Sequence, residues 1–244
     1  MEKKAYAELA ENQDNHWWFK GRREIIEFFL RRYSVNREAN AKVLEVGCGT
    51  GGNLAMLSQF GDVTAVEMDE FSRAYVKEKL NIEVHYGALP FEIDLQDKQF
   101  DLICLFDVLE HIEDDISSLE RVSNLLKDKG YLIITVPAYQ YLYGKHDKEM
   151  HHYRRYNSAH LSSMLSDCGF SIVSMSYFNS FLLPIAGLSR LLDKFTVNDS
   201  AIGAKQPATV INQFLYRILS FEKHVLKFTL LPFGLSLICI VQKK

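Results

Sequence analysis

The chain has 244 residues, 48% of them hydrophobic, with a formal net charge of −3 and a pI near 6.2. This is enough apolar material for one α/β domain with a substantial core, and the mildly acidic balance excludes the basic face that general nucleic-acid binding requires. The four cysteines, Cys48, Cys104, Cys168 and Cys239, form no CxxC pair and no metal-ligand spacing, so they read as reduced thiols of a cytoplasmic protein.

In chain order, the leader MEKKAYAELAENQDN has no apolar stretch of the signal-peptide kind. A helix is predicted over 15–33, capped by Asp14 or Asn15, with Ile25, Ile26, Phe28, Phe29 and Leu30 on its later turns. Its first turns, HWWFKGRR, hold Trp17 and Trp18 side by side; they either pack as part of an ordinary amphipathic helix or form a lid over a bound ligand. After the polar SVNREANA, strands alternate with helices. KVLEVG, DVTAVEMD, IEVHYG, FDLICLFDVLEHI and YLIITVP read as strands, and NLAMLSQF, EFSRAYVKEKL and ISSLERVSNLLKDKG as helices, the last ended by Gly130 as its C-cap. Such alternation predicts βαβ units and a mostly parallel sheet covered on both faces.

Past Pro137 the segment AYQYLYGKHDKEMHHYRRYN has no clean period. SAHLSSMLSDCGF then reads as a helix and SIVSMSYFN as a sixth strand. Residues 180–230 are helical in pattern, interrupted by NDSAIGAKQPAT, and GLSLICIVQKK closes the series as a seventh strand. The apolar run LLPFGLSLICIV is shorter than the roughly 20 residues of a spanning helix and is broken by Pro232 and Gly234, so a turn and a buried strand are expected there.

The segment VLEVGCGTGGN puts Gly47, Gly49, Gly51 and Gly52 between the first strand and a helix, where backbone can turn sharply and approach a ligand. Gly47, Gly49 and Gly52 formally satisfy G-x-G-x-x-G, so the glycines alone leave a nicotinamide dinucleotide and another adenosine ligand both open. Glu67, at the end of the second strand and 20 residues after Gly47, can accept two ribose hydroxyls of either. Three features separate them. Glu45 would repel a pyrophosphate and pair with an ammonium group, the fourth strand ends in polar residues at the ligand edge, and there is no second domain to hold a hydride acceptor.

The ordered set VLEVGCGTG, AVEMD, GALPF, FDLICLFDVLEHI and LLKDKGYLIITVP, spread over roughly residues 40–140, resembles the motifs of class I S-adenosylmethionine-dependent methyltransferases, in the branch of ubiquinone-type and glycan- or lipid-cluster enzymes. The resemblance implies a Rossmann-like seven-stranded sheet, mostly parallel with the last strand antiparallel. It implies one domain over 1–244: an N-terminal helical lid (1–40), a cofactor-binding core (41–179), a helical cap inserted at 180–230 and the final strand (231–244). S-adenosyl-L-methionine is the implied cofactor. Glu45, Gly47 and Gly49 would line its methionine part, Glu67 would hold the ribose, Met68 would pack on adenine with Ala88 and Leu89 at its edge, and Phe106, Asp107 and Val108 would flank the sulfonium. Cys48, Gly51, Asn53 and Gly87 complete the implied cofactor set. Many members carry Asp where this chain has Ala88, so an adenine contact there falls to the backbone.

Leaders of the form H-x-W-x-x-x-R-R occur in that branch. They imply that Trp17 or Trp18 excludes water from the sulfonium and that Arg22 or Arg23 holds the methionine carboxylate. Trp18 and Arg23 are accordingly assigned to the cofactor and Trp17 to the acceptor. An H-x-x-R-R-Y motif also recurs there, which places Arg154, Arg155 and Tyr156, with Tyr139, at an anionic acceptor. His111 is the first candidate for a base at neutral pH, with His151 and His152 as rivals. A zinc site from His146, His151 and His152 lacks an acidic or cysteine partner at helical spacing, and no metal is expected. FLLPIAGLSRLLDKF is read as core packing in preference to a peripheral membrane contact. The expected function is methyl transfer to a small-molecule, glycan or lipid-linked acceptor, with oxygen preferred. An N-methyltransferase and a non-catalytic S-adenosylmethionine-binding regulatory module are the alternatives.

Overall fold

Apolar runs that bury both faces have to lie inside a sheet, and the computed structural model, which describes residues 3–33, 40–93, 95, 99–184 and 206–244, has seven such runs in one sheet. They are β1 (Lys42–Val46), β2 (Asp62–Glu67), β3 (Val84–Tyr86), β4 (Phe100–Phe106), β5 (Leu126–Pro137), β6 (Phe170–Phe178) and β7 (Ser236–Lys243), in the order β3-β2-β1-β4-β5-β7-β6. The β1–β2, β1–β4, β2–β3 and β4–β5 pairs are parallel, and β7 runs antiparallel between β5 and β6. The fold is the Rossmann-like one that the motifs imply.

The helices are α1 (Lys3–Asn12), α2 (Trp17–Arg32), α3 (Leu54–Leu57), α4 (Glu70–Leu80), α5 (Asp115–Leu125), α6 (Lys145–Glu149), α7 (Ser158–Asp167) and α8 (Thr209–Leu226). Side chains alternate across each strand and so divide the core in two. Leu44, Val46, Ile103, Leu105, Leu132 and Ile134 meet α5 and α7 on one face. Val43, Leu102, Cys104, Ile133, Ile238 and Ile240 meet Ile25, Ile26, Phe29 and Leu30 of α2 and Leu219 and Leu226 of α8 on the other.

Asp69, Asp114 and Asn157 cap α4, α5 and α7 by accepting from Ser72 N (2.7 Å), Ser117 N (3.0 Å) and His160 N (2.8 Å). The cap of α2 differs from expectation. It is His16, whose Nδ1 accepts from Trp18 N at 3.3 Å. Asp14 and Asn15 are consumed by the turn that ends the preceding helix, where His16 N donates to Asn12 O at 2.8 Å.

Gly130 is also corrected. α5 stops at Leu125 and β5 begins at once, so Gly130 caps no helix. The register jumps from Phe100↔Leu126 to Leu102↔Tyr131, and the residues between bulge out of the ladder. A Cβ on Gly130 would lie 2.9 Å from the Lys127 carbonyl oxygen, so the bulge needs a residue without one.

Most of FLLPIAGLSRLLDKF and of NDSAIGAKQPAT falls on 185–205, outside the described residues. The described helix that follows, α8, lies along α2. Asn212 accepts from Trp17 N (2.9 Å) and donates to Asn15 O (2.8 Å), Lys223 pairs with Glu24 at 2.6 Å, and the Tyr216 hydroxyl also donates to Glu24. No helix among the described residues is long and apolar enough to cross a membrane.

At the crossing, a Cβ on Gly21 would lie 2.6 Å from Cδ2 and 2.8 Å from Cγ of the buried Leu219. Gly21→Val is therefore expected to destabilise by about 1–3 kcal/mol, despite the helix-propensity gain, and urea unfolding checks it. An unchanged midpoint would mean that the two helices separate at no cost.

Candidate active site

The parallel strands β1, β2 and β4 end at one edge of the sheet, and the chain leaves each of them into a functional segment. After β1, the backbone of Gly47–Gly51 turns with positive φ at Gly47 (71°), Gly49 (53°) and Gly51 (82°). Gly47 N and Cys48 N both donate to Val66 O (2.8 and 3.2 Å), which ties the loop to the end of β2. A Cβ at Gly47 would be 2.7 Å from the Val108 side chain, so the loop and the segment after β4 form a cradle that a side chain would fill.

Glu67 closes this loop. Its Oε2 accepts from Gly49 N at 2.8 Å and its Oε1 from Asp69 N at 2.9 Å. The Tyr6 hydroxyl, from α1, also hydrogen-bonds Glu67; burial and the nearby carboxylates raise the Tyr6 pKa. Glu45 is buried at the other side of the loop. Its Oε1 accepts from Asn53 Nδ2 at 2.8 Å and its Oε2 has no protein partner.

Burial pushes the Glu45 carboxyl up to about 7, against the opposing pull of Asn53 and Arg22. A carboxyl raised in the folded state favours the native protein at low pH, and that contribution is lost as pH rises from about 4.5 through about 7. The ligand-free protein is expected to lose about 2–3 kcal/mol from this group over that window. Glu45→Gln should remove that part of the pH dependence of the urea midpoint. A slope identical to wild type would place the titration elsewhere.

The adjacent Arg22 and Arg23 of α2 divide between the two sides of the site. Arg22 makes an ion pair with Asp107, whose Oδ1 accepts from the Thr135 hydroxyl at 3.1 Å and whose backbone sits at φ 56°. Arg23 lies beside the loop, 3.4 Å from where a Gly52 Cβ would be. Met68 is exposed, Gly87 lies close against Val66, and Leu89 packs half-buried on the core. The Ala88 backbone exchanges both hydrogen bonds with Glu92 (3.0 and 2.8 Å), so its N–H is already engaged. Phe106 belongs to the α2–α8 side of the core.

Trp17 and Trp18 pack on that same side. Trp18 stacks on Phe178 with ring centroids 5.9 Å apart and planes 7° apart. The helix that lies over the glycine loop is α1. Leu9 is 3.1 Å from where a Gly49 Cβ would be, and Gln13 bonds the Thr50 hydroxyl (2.6 Å) and the Thr50 carbonyl (3.2 Å). Sequence reading missed α1 and with it Tyr6, Leu9 and Gln13, although their spacing of three and four residues was a usable helical signal.

The HHYRRY segment divides between core and surface. Tyr156 is fully buried, and its hydroxyl bonds Asp115 Oδ2 at 2.9 Å. Arg155 is buried with Nε 2.7 Å from Asp147 Oδ1. Neither has surface to offer an acceptor, because each answers a buried carboxylate. Arg154 is partly exposed and pairs with Asp115 at 2.7 Å, and Tyr139 stacks between Tyr141 and Tyr177, both at 5.2 Å.

His151 is exposed, whereas His152 turns inward. The His152 ring meets His111 edge-on at 4.5 Å, and its Nδ1 lies 3.0 Å from Asp147 Oδ1. Burial and His152 push the His111 pKa down to about 4, so its imidazole is neutral at pH 7; one ring nitrogen bonds the Met150 carbonyl. Glu110 is fully buried beside them with Oε2 unpartnered, and burial and Asp107 hold its pKa well above the carboxylate range. Glu110, from the turn after β4, thus joins the two rings as a second buried acidic residue beside Asp147.

A family model described as a methyltransferase domain matches residues 17–175. A protein of Mycobacterium tuberculosis named "Probable S-adenosylmethionine-dependent methyltransferase" is 29% identical over 162 residues, 62% of this chain and 59% of that protein. A ubiquinone biosynthesis O-methyltransferase of Histophilus somni is 31% identical over 149 residues, 52% of this chain and 61% of that protein. The chain spans about three fifths of the length of the curated relatives it matches. Among solved structures, a SAM-dependent methyltransferase from Archaeoglobus fulgidus has the same fold, with a TM-score of 0.55, 19% identity and coverage of 91% of this chain and 94% of that one.

Proposed function

The chain belongs to the class I S-adenosylmethionine-dependent methyltransferases, and from that premise we propose that it transfers a methyl group from S-adenosyl-L-methionine to a hydroxyl of a small-molecule, glycan or lipid-linked acceptor. The observation that carries this reading is the pair of carboxylates flanking the glycine loop. Glu45 has a buried oxygen with no partner among the described residues, which suits an ammonium group, and Glu67, beyond its bonds to Gly49 and Asp69, has room to accept two hydroxyls once the Tyr6 hydroxyl is displaced. An amino acid joined to a nucleoside has those two ends. The positive-φ cradle at Gly47 and Gly49 supports close backbone approach by such a ligand.

When bound, the cofactor supplies an activated methyl on a sulfonium, a good leaving group. The protein's own residues have three tasks. Glu67 and Glu45 orient, Arg22 or Arg23 balances a carboxylate, and α1 with Leu9 and Gln13 keeps water from the loop. The proton leaving a hydroxyl needs an acceptor, and His111, in the turn after β4, is placed for that role where His151 is exposed, although the burial that keeps its imidazole neutral also weakens it as a base. An oxygen target also agrees with the O-methyltransferase name of the ubiquinone-biosynthesis relatives.

The test is calorimetry with S-adenosylmethionine and S-adenosylhomocysteine, followed by methyl-transfer assays on panels of phenolic, glycan and amine acceptors. Micromolar binding with O-methylated product is expected. Binding with amine products only would move the target to nitrogen, binding without transfer to any panel would favour the regulatory module, and no binding would sink the reading.

A further inference from the structure

The turn after β4 and the segment after α6 bring together groups that the glycine-loop chemistry does not use. Glu110, His111 and His152 each present one ligand atom, and these atoms all lie within 4.8 Å of one another. From this geometry we propose that Glu110, His111 and His152 form a binding site for one divalent transition-metal ion of the zinc class, with an open coordination position.

Three further observations support it. The first is the orphaned oxygen: Glu110 is 1% exposed, and its Oε2 has no hydrogen-bond partner. A buried carboxylate oxygen without a partner is costly, and a bound cation removes that cost. The second is the state of the two imidazoles. His152 spends Nδ1 on Asp147 at 3.0 Å, and His111 spends one ring nitrogen on the Met150 carbonyl. The bond of His152 Nδ1 to Asp147 leaves its Nε2 for an ion. Metal-bound histidines are held in this way, with the non-ligating nitrogen tied to a carboxylate or a carbonyl. The third is rigidity. Asp147 has no exposed side chain and is itself fixed by Arg155 Nε (2.7 Å) and by Gly144 N (2.8 Å). Tyr153 N donates to Glu110 O at 2.8 Å, which fastens the second segment to the first.

The donor set names the class of ion. Two imidazoles and one carboxylate suit zinc, iron or manganese, whereas magnesium and calcium prefer all-oxygen sites. Nitrogen and oxygen ligands about 2.0–2.2 Å from zinc stand roughly 3–3.5 Å apart, so the three side chains need to close by about an ångström on the ion. Three protein ligands leave a position for water or an oxygen of another molecule. With the ion in place, His111 serves as a ligand and not as a free base. The site itself does not rest on the methyl-transfer reading.

The test uses the full chain, stripped with a chelator and dialysed, titrated with ZnCl2 by calorimetry and with CoCl2 by visible absorption. Neither cofactor nor acceptor is present, so the outcome is independent of methyl transfer. One ion per chain with micromolar or tighter affinity is expected, with a cobalt spectrum of bound nitrogen and oxygen ligands. His152→Ala and Glu110→Gln should each weaken zinc binding more than about 100-fold, beyond the ~10–100-fold that losing an outer partner of a ligand costs. His151→Ala, at an exposed residue outside the cluster, should leave binding unchanged. If either ligand variant fails to fold by circular dichroism, His111→Asn takes its place. No saturable binding by wild type, or full binding retained by either ligand variant, overturns the site.

Discussion

Glu67→Ala is expected to weaken S-adenosylmethionine binding by at least about 100-fold, roughly 3 kcal/mol, the sum of two hydrogen bonds to a charged acceptor. The loss has two sources. The side chain is the carboxylate at the end of β2 that is tied into the glycine loop, and removing it also frees Gly49 N and Asp69 N, from which it accepts at 2.8 and 2.9 Å. Glu67→Gln separates the two. It keeps one accepting oxygen, so an intermediate loss points to ligand contact on top of loop support. Tyr6→Phe is the counterpart. The Tyr6 hydroxyl bonds the same carboxylate, so its removal should tighten binding if a ribose has to displace it. Calorimetry on the three variants decides. Wild-type affinity in Glu67→Ala would remove the central support for an adenosine ligand, and weaker binding in Tyr6→Phe would make Tyr6 part of the ligand's surroundings.

Asp147→Ala is expected to cost about 3–5 kcal/mol of folding stability, the largest effect of any single change away from the apolar core. Asp147 has no exposed side chain and answers Arg155, His152 and the Gly144 N–H together. Truncation leaves the Arg155 guanidinium buried without its carboxylate, its Nη1 still donating to the Ala138 carbonyl at 3.3 Å. Breaking one side of a buried pair costs more than the pair was worth, because the remaining charge stays desolvated. Urea unfolding in the presence of EDTA measures it without interference from added metal. The double variant Asp147→Ala/Arg155→Met should recover part of the loss. A single-variant change under about 1 kcal/mol would mean that water reaches Arg155 freely.

Much of the fold was legible because burial on both faces leaves a plain mark. The runs KVLEV, DLICLF and LIITV have no other stable place than the middle of a parallel sheet, and they occupy β1, β4 and β5. The glycine loop and Glu67 were legible for a local reason: their spacing follows from a strand, a turn and a helix. What was missed depends on distant partners. Gly130 looked like a helix end, but its constraint is the Lys127 carbonyl across a bulge. The stacking partner of Trp18, Phe178, likewise lies far along the chain and leaves no mark beside it in the sequence. Arg155 and Tyr156 looked like acceptor groups because Arg and Tyr next to His read as a surface. Asp147 and Asp115, which draw them inward, carry no sequence signal of being buried. Glu110 and His152 likewise meet only in three dimensions.

The position of β7 has a consequence for how the molecule is made. It pairs with β5 on one side and β6 on the other, so both of its ladders join segments far apart in sequence. While the chain emerges from a ribosome, β5 and β6 exist before the strand that fills the gap between them. Each then presents an unpaired apolar edge, the kind of surface that recruits other chains. Closing that gap is a long-range step that loop entropy slows. The nascent protein therefore has its period of greatest aggregation risk just before residues 236–243 become available; a chaperone bound over that interval should raise the soluble yield, and slower synthesis there should lower it.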